Sequence, residues 1–240
     1  MILMEVLKQN PTKAEEIAKS ICNDYQKINW NDGICYIFKA CIKHPQLSAH
    51  INGSCAEDII KKWVDKYIKG KQIRISQRIS KFSRTVADPI ISEIIKSRIK
   101  SLTADQLEKI KYAHRLSMSA ENILGLLLEE YLADNLLEFK WHFAWGETIK
   151  SVDFCSEDLK LLQIKNRSNS ENSSSSSVRV NTTITKWYRV DANTGIYKWD
   201  ELNQILKTSK FNEDSFIDYV KKILLANPNA LAVEENNPWL

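Results

Sequence analysis

Residues 151–165 read SVDFCSEDLKLLQIK, and the fold turns on how they pair. Two short β-rich runs, SVDFC and LKLLQIK, flank the polar triplet Ser156, Glu157 and Asp158, which is the composition of a hairpin. Side chains alternate along a strand, so Gln163 and Lys165 share one face. With the loop taken as residues 156–158, Cys155 opposes Leu159 and Asp153 opposes Leu161, and Asp153 joins that face. A loop one residue shorter or longer turns it away.

Immediately upstream, residues 117–136 read SMSAENILGLLLEEYLADNL, a strong helix with Ser119 as the expected cap and apolar residues almost all round. Such a helix is expected to be buried. A carboxylate at its edge, Glu129, is costly to bury unless it is paired or linked to a metal. Glu130 is expected to be the solvated neighbour, and Glu121 to serve the helix N-terminus. Further β-rich runs, WHFAWGETI at 141–149 and TTITKWYRV at 182–190, and helical stretches near 199–206 and 214–225 complete the pattern. Before them, Ile17, Ile21, Tyr25 and Ile28, then Ile59, Ile60, Trp63, Val64 and Tyr67, recur at helical spacing. The expected class is α/β: a nuclease-type core over 117–240 with a mixed sheet flanked by helices, preceded by a helical region over 1–116.

The chain has 240 residues, 43% of them hydrophobic, enough for a substantial core. Five scattered cysteines without CxxC spacing fit reduced thiols. No GxGxxG or GxxxxGK[ST] occurs, which excludes those nucleotide folds. Four histidines share no metal-ligand spacing, so zinc is not expected. No run reaches the length of a membrane helix, and the opening MILMEVLKQNPT is too short and too soon acidic for a signal peptide. A soluble, cytoplasmic protein with no membrane partner is expected.

The net charge of +4 hides an asymmetry. Residues 66–100 carry ten Lys or Arg against Asp88 and Glu93, whereas residues 101–162 carry eleven acids against six bases. Within the basic stretch, Lys69, Lys71, Arg74, Arg78, Lys81 and Arg84 suit either a solvated helix face or an arm that tracks phosphates. The segment RSNSENSSSSSVR, 167–179, has linker composition but lies between two strands. Its Arg167, Ser168, Asn169, Ser170, Asn172, Ser173 and Arg179, with Arg189 beyond it, offer donors to a phosphate backbone or to base edges.

A carboxylate, an amide oxygen and an ammonium on one sheet face suit metal-assisted phosphodiester hydrolysis, since Mg²⁺ takes oxygen ligands and keeps several waters. Asp153 and Gln163 are the expected ligands, and Lys165 the group that activates water and stabilises charge without binding the metal. These residues resemble the PD-(D/E)XK nuclease superfamily, with Val152 where a proline is usual and Gln163 where an acid is usual. More specifically, AHRLSMSAENILGLLLEEYLA, WGETIKSVDF, LLQIKNRSNSENSSSSSVR, KWYRV and WDELN resemble the SinI-type family of type II restriction endonucleases, over about residues 84–203. The resemblance implies Mg²⁺-dependent cleavage of double-stranded DNA at GG(A/T)CC, with Glu129 supporting the metal. A twofold site implies a homodimer, and the system implies a cognate methyltransferase that makes no contact. A structure-directed nuclease on the same core and a noncatalytic DNA-binding protein are the rival readings.

Overall fold

A computed structural model describes residues 1–25, 28–81, 88–168, 184–235 and 237–239. Two compact units form: Met1–Arg74 with Leu128–Tyr219, and Ile75–Leu127 with Val220–Leu240.

The first unit opens with α1 (Leu3–Gln9), α2 (Pro11–Asp24), α3 (Ile34–Lys43) and α4 (Ala56–Gln72). Asn10 starts α2 by accepting a hydrogen bond from the Lys13 amide at 3.0 Å, with Pro11 in the first turn, where its missing N–H costs nothing. The residues α2 buries are Ala14, Ala18 and Cys22, while Ile17 and Ile21 pack only partly. α4 buries Ile59, Ile60, Trp63, Val64 and Tyr67, the stripe that the sequence spacing predicts.

The sheet has the order β1-β2-β3-β4, formed by β1 (Trp141–Phe143), β2 (Phe154–Ser156), β3 (Leu161–Arg167) and β4 (Ile184–Val190). β1–β2 and β2–β3 are antiparallel and β3–β4 parallel, so the expected mixed sheet with flanking helices is present. One face packs Cys155, Leu161 and Ile184 into the core of α1–α4. On the opposite face, Trp187 stacks obliquely on Trp199 at 5.2 Å, and Tyr131, Phe211 and Phe216 extend that aromatic cluster. These tryptophans are core, as their amphipathic bulk favours. α7 (Trp199–Leu206) and the start of α8 (Glu213–Ala226) carry part of this cluster.

Three local expectations need correction. The hairpin pairs Phe154 with Leu162 and Cys155 with Leu161, two residues out of the expected register. The loop is longer because Leu159 adopts a left-handed backbone (φ 60°) and the Ser156 amide reaches the Lys160 carbonyl at 3.0 Å. β1 stops at Phe143, because Gly146 (φ 72°) and Glu147 (φ 54°) turn the chain out of extended geometry. Finally, α6 (Ala104–Asn135) begins well before Ser119. Thr103 and Gln106 cap it reciprocally: the Thr103 hydroxyl accepts from the Gln106 amide and the Gln106 side chain accepts from the Thr103 amide. Glu121 is therefore an exposed mid-helix residue rather than an N-terminal one.

The second unit contains α5 (Pro89–Arg98), most of α6 and the end of α8. The Asn227 side chain donates to the carbonyls of Ile75, Ser76 and Arg78, fixing the segment after α4. Arg115 pairs with Glu234 and lies 4.5 Å over the Tyr112 ring. Among the described residues, no helix is long and apolar enough to cross a membrane.

Candidate active site

Asp153 sits one residue before β2, where the ladder changes hands. Its amide donates to the Leu162 carbonyl at 3.0 Å and its carbonyl accepts from Ala144 at 2.8 Å. Its carboxylate then accepts from the Ile164 amide at 2.7 Å, so β3 holds the side chain as well as the backbone. Extending the register Phe154↔Leu162 by one residue sets Asp153 opposite Gln163. The two-residue shift preserves parity, and Asp153, Gln163 and Lys165 share one face.

Glu129 reaches this group from α6. Burial pushes its carboxyl up to about 8, with the Asp153 charge adding and Lys165 partly offsetting. Asp153 is raised to about 6, first by burial; the Ile164 amide and Lys165 pull it down, and Glu147 pushes it up. Two carboxyls that desolvation and proximity drive toward their neutral forms attract any cation that joins them. Gln163 is 2% exposed and adds a neutral amide oxygen. Among the described residues, no three His, Cys, Asp or Glu side chains converge as a metal cage. Two carboxylates and an amide oxygen nevertheless fit Mg²⁺, which commonly binds through one or two carboxylates and retains waters.

Glu130 is a correction. It is 2% exposed rather than solvated, and Arg74 approaches it at 3.5 Å. A buried carboxylate requires such a partner. Arg74 also lies 3.9 Å from Asp134. Arg189 is turned inward too: it pairs with Glu213, donates to Asn166 Oδ1 at 2.9 Å and lies 5.2 Å over the Phe216 ring. Arg78, Lys81 and Arg167 are exposed. Ser168 closes β3, its amide donating to Val190 and its hydroxyl accepting from Ala192 at 2.9 Å. Arg84, Asn169, Ser170, Asn172, Ser173 and Arg179 lie outside the described residues.

Sequence reasoning missed Glu147 and the loop that carries it. Gly70 on α4 and Gly146 meet backbone to backbone: a Cβ on Gly70 would overlap Gly146, and one on Gly146 would overlap the Lys66 carbonyl. The next residue but one is pinned as well, since the Thr148 carbonyl accepts from Trp63 Nε1 at 3.3 Å and from the Ala49 amide at 3.2 Å. The only sequence sign was a glycine inside a strand-like run. His142 is buried, stacked on Tyr36 at 4.9 Å and shifted toward neutrality by burial. It lies 3.6 Å from Glu157 and outside the carboxylate cluster.

A mixed sheet that presents Asp, Gln and Lys on one face, with helices around it, has the architecture of restriction-endonuclease-like α/β proteins. The chain belongs to the SinI restriction endonuclease family, whose profile matches residues 56–226. It is similar to the type II restriction enzyme Eco47I of Escherichia coli, with 42% identity over 146 residues, 59% of this chain and 63% of that protein. It is also similar to the type II restriction enzyme SinI of Salmonella infantis, with 39% identity over 145 residues, 58% of this chain and 63% of that protein. The matched region thus spans under two thirds of either relative.

Proposed function

We propose that this chain is a type II restriction endonuclease of the PD-(D/E)XK kind that hydrolyses double-stranded DNA at a short palindrome, GG(A/T)CC, with Mg²⁺. The observation that carries the reading is the convergence of Asp153, Gln163 and Lys165 on one sheet face with Glu129 coupled to them. The names of the two relatives, both type II restriction enzymes, support it.

Asp153 and Gln163 would hold the metal through a carboxylate and an amide oxygen, with Glu129 as a supporting ligand or as an acceptor for a metal-bound water. The bound ion supplies neutralisation of phosphate charge and a more acidic water. Asp153 is oriented by the Ile164 amide, so its position does not depend on the ion. The Glu129 carboxyl, raised to about 8 by burial and the Asp153 charge, favours its neutral form at neutral pH in the absence of a cation. Lys165 offers Nζ to orient the attacking water and to stabilise charge on the phosphate oxygens in the transition state. Phosphate contacts fall to exposed Arg78, Lys81 and Arg167 and, with them, to Arg84, Ser168, Asn169, Ser170, Asn172, Ser173 and Arg179. Arg74 and Arg189 must exchange their carboxylate partners before touching DNA.

The protein acts as a homodimer, one site per strand. α5 supports this: Ile90, Ile91 and Ile94 are 61%, 53% and 63% exposed while Ser92 turns inward. Asp88 caps its start, and Lys96 and Arg98 lie in its last turn. Antiparallel pairing of two copies of such a helix therefore matches acid to base. The division at residue 116 is functional in this reading, with the core after it and the basic stretch before it. A cognate methyltransferase protects host sites without contacting this chain.

The test is incubation of purified protein with unmethylated phage DNA, with Mg²⁺ or with chelator. A ladder that chelator abolishes supports the proposal, and its fragment sizes accept or reject GG(A/T)CC. A smear favours a structure-directed nuclease. Intact DNA with salt-sensitive binding favours a noncatalytic protein whose Gln163 marks a lost ligand.

A further inference from the structure

The candidate face opens toward solvent along β3: Leu161 and Gln163 are 1% and 2% exposed, Lys165 is half-buried and Arg167 is exposed. At the mouth of that face, the parallel register sets Tyr188 of β4 beside Lys165. The neighbours of Tyr188 in β4 turn the other way. Trp187 stacks on Trp199, and Arg189 donates to Asn166 Oδ1 of β3 at 2.9 Å. Side chains alternate along a strand, so Tyr188 and Lys165 project from the opposite face, that of Asp153 and Gln163. Trp187 and Arg189 are buried, whereas Tyr188 is only half-buried.

The sheet order places β2, β3 and β4 in succession, and neighbouring strands lie about 4.8 Å apart. Across the sheet, Asp153, Lys165 and Tyr188 therefore span about 10 Å, with the phenol at the end away from Asp153. One strand of duplex DNA advances about 3.4 Å along the helix axis per nucleotide, so a row of that length meets more than one phosphate. A phenol donates to a phosphate oxygen without adding charge. We propose that Tyr188 donates its hydroxyl to the phosphate next to the scissile one, and so sets the register in which the scissile phosphate meets Asp153 and Lys165. The inference rests on the endonuclease reading for its substrate and on the strand register for the place of the phenol.

The experiment uses the full chain and fluorescein-labelled duplexes containing GGACC, in which one phosphate at a time is replaced by an uncharged methylphosphonate. Affinity is measured across a salt series in the absence of metal. Tyr188→Phe keeps the ring and removes the hydroxyl, and it is expected to weaken binding of the unmodified duplex about 10-fold, the worth of one hydrogen bond to a charged group. The slope of log K against log salt stays that of the wild type, because a neutral donor releases no counterion, whereas loss of a Lys or Arg contact lowers it by about 0.9. The DNA-free melting temperature stays within about 3 °C of the wild type. At one methylphosphonate position the variant and the wild type bind within about twofold of each other, since the acceptor of the hydroxyl is already lost. With Mg²⁺, single-turnover cleavage of the unmodified duplex falls about 10-fold in the variant, and the coupled position adjoins the mapped cut.

Equal affinity of the wild type and Tyr188→Phe for the unmodified duplex overturns the assignment. So does a loss that persists at every methylphosphonate position, or one that vanishes only at the cut phosphate itself. If the wild type binds DNA without cutting while the loss in Tyr188→Phe still vanishes at one position, the nuclease reading fails and the phosphate contact stands.

Discussion

Replacing Glu129 by Gln is expected to stabilise the metal-free protein at alkaline pH while abolishing cleavage. The folded Glu129 carboxyl is raised from the ordinary 4.5 to about 8 by burial and by the Asp153 charge. The folded state therefore binds its proton more tightly than the unfolded chain does. That stabilisation is complete below about pH 4.5 and is lost as pH rises through 8. A raised pKa of this size is worth about 1.4 kcal/mol per tenfold change in proton affinity. Allowing for relaxation around a coupled pair, the loss between pH 5 and pH 9 is on the order of 2–4 kcal/mol. An amide of the same shape cannot ionise. The variant should equal the wild type at pH 5 and melt about 5–10 °C higher at pH 9. Circular-dichroism melts in chelator across that range measure this, and added Mg²⁺ should raise the wild-type midpoint most at the alkaline end. A wild-type midpoint independent of pH, or an equal loss in the variant at every pH, would refute the placement of Glu129 beside Asp153.

Asp153→Ala and Lys165→Ala should each reduce single-turnover cleavage at least about 1000-fold while leaving affinity for the duplex within about threefold; full activity in either purified variant removes the site assignment. Gly146→Ala forces a side chain into a left-handed backbone and against the Lys66 carbonyl, costing about 2–4 kcal/mol. Its melting point should fall by about 5–10 °C, and an unchanged melting curve contradicts the close contact. Ile91→Glu should convert a dimer to a monomer in light scattering, with its fold retained by circular dichroism. A dimer that survives the substitution places the interface elsewhere.

The shared face of the candidate site was legible because parity is robust. The hairpin register differs from the expected one by two residues, yet Asp153 stays on the face of Gln163 and Lys165, since only an odd slip inverts a strand. The helix acids were not separable in the same way. Glu129 and Glu130 are consecutive, and which one is left beside Asp153 depends on Arg74, which approaches Glu130 from more than fifty residues away along the chain. β1 was overestimated where Trp-Gly-Glu resembles a strand, since the left-handed turn is imposed by contact with α4. The early start of α6 was available in Thr103 and Gln106, a reciprocal cap overshadowed by the stronger apolar run downstream.

The contact between Gly70 and Gly146 separates two properties of the neighbouring acid that usually change together. Residue 147 takes its location from two backbones that touch where side chains are missing, not from its own side chain. A library that randomises position 147 while keeping both glycines thus samples charge at a constant address. A library that varies either glycine samples the address itself. For adjusting the charge felt by Asp153, the first is a dial and the second is a demolition.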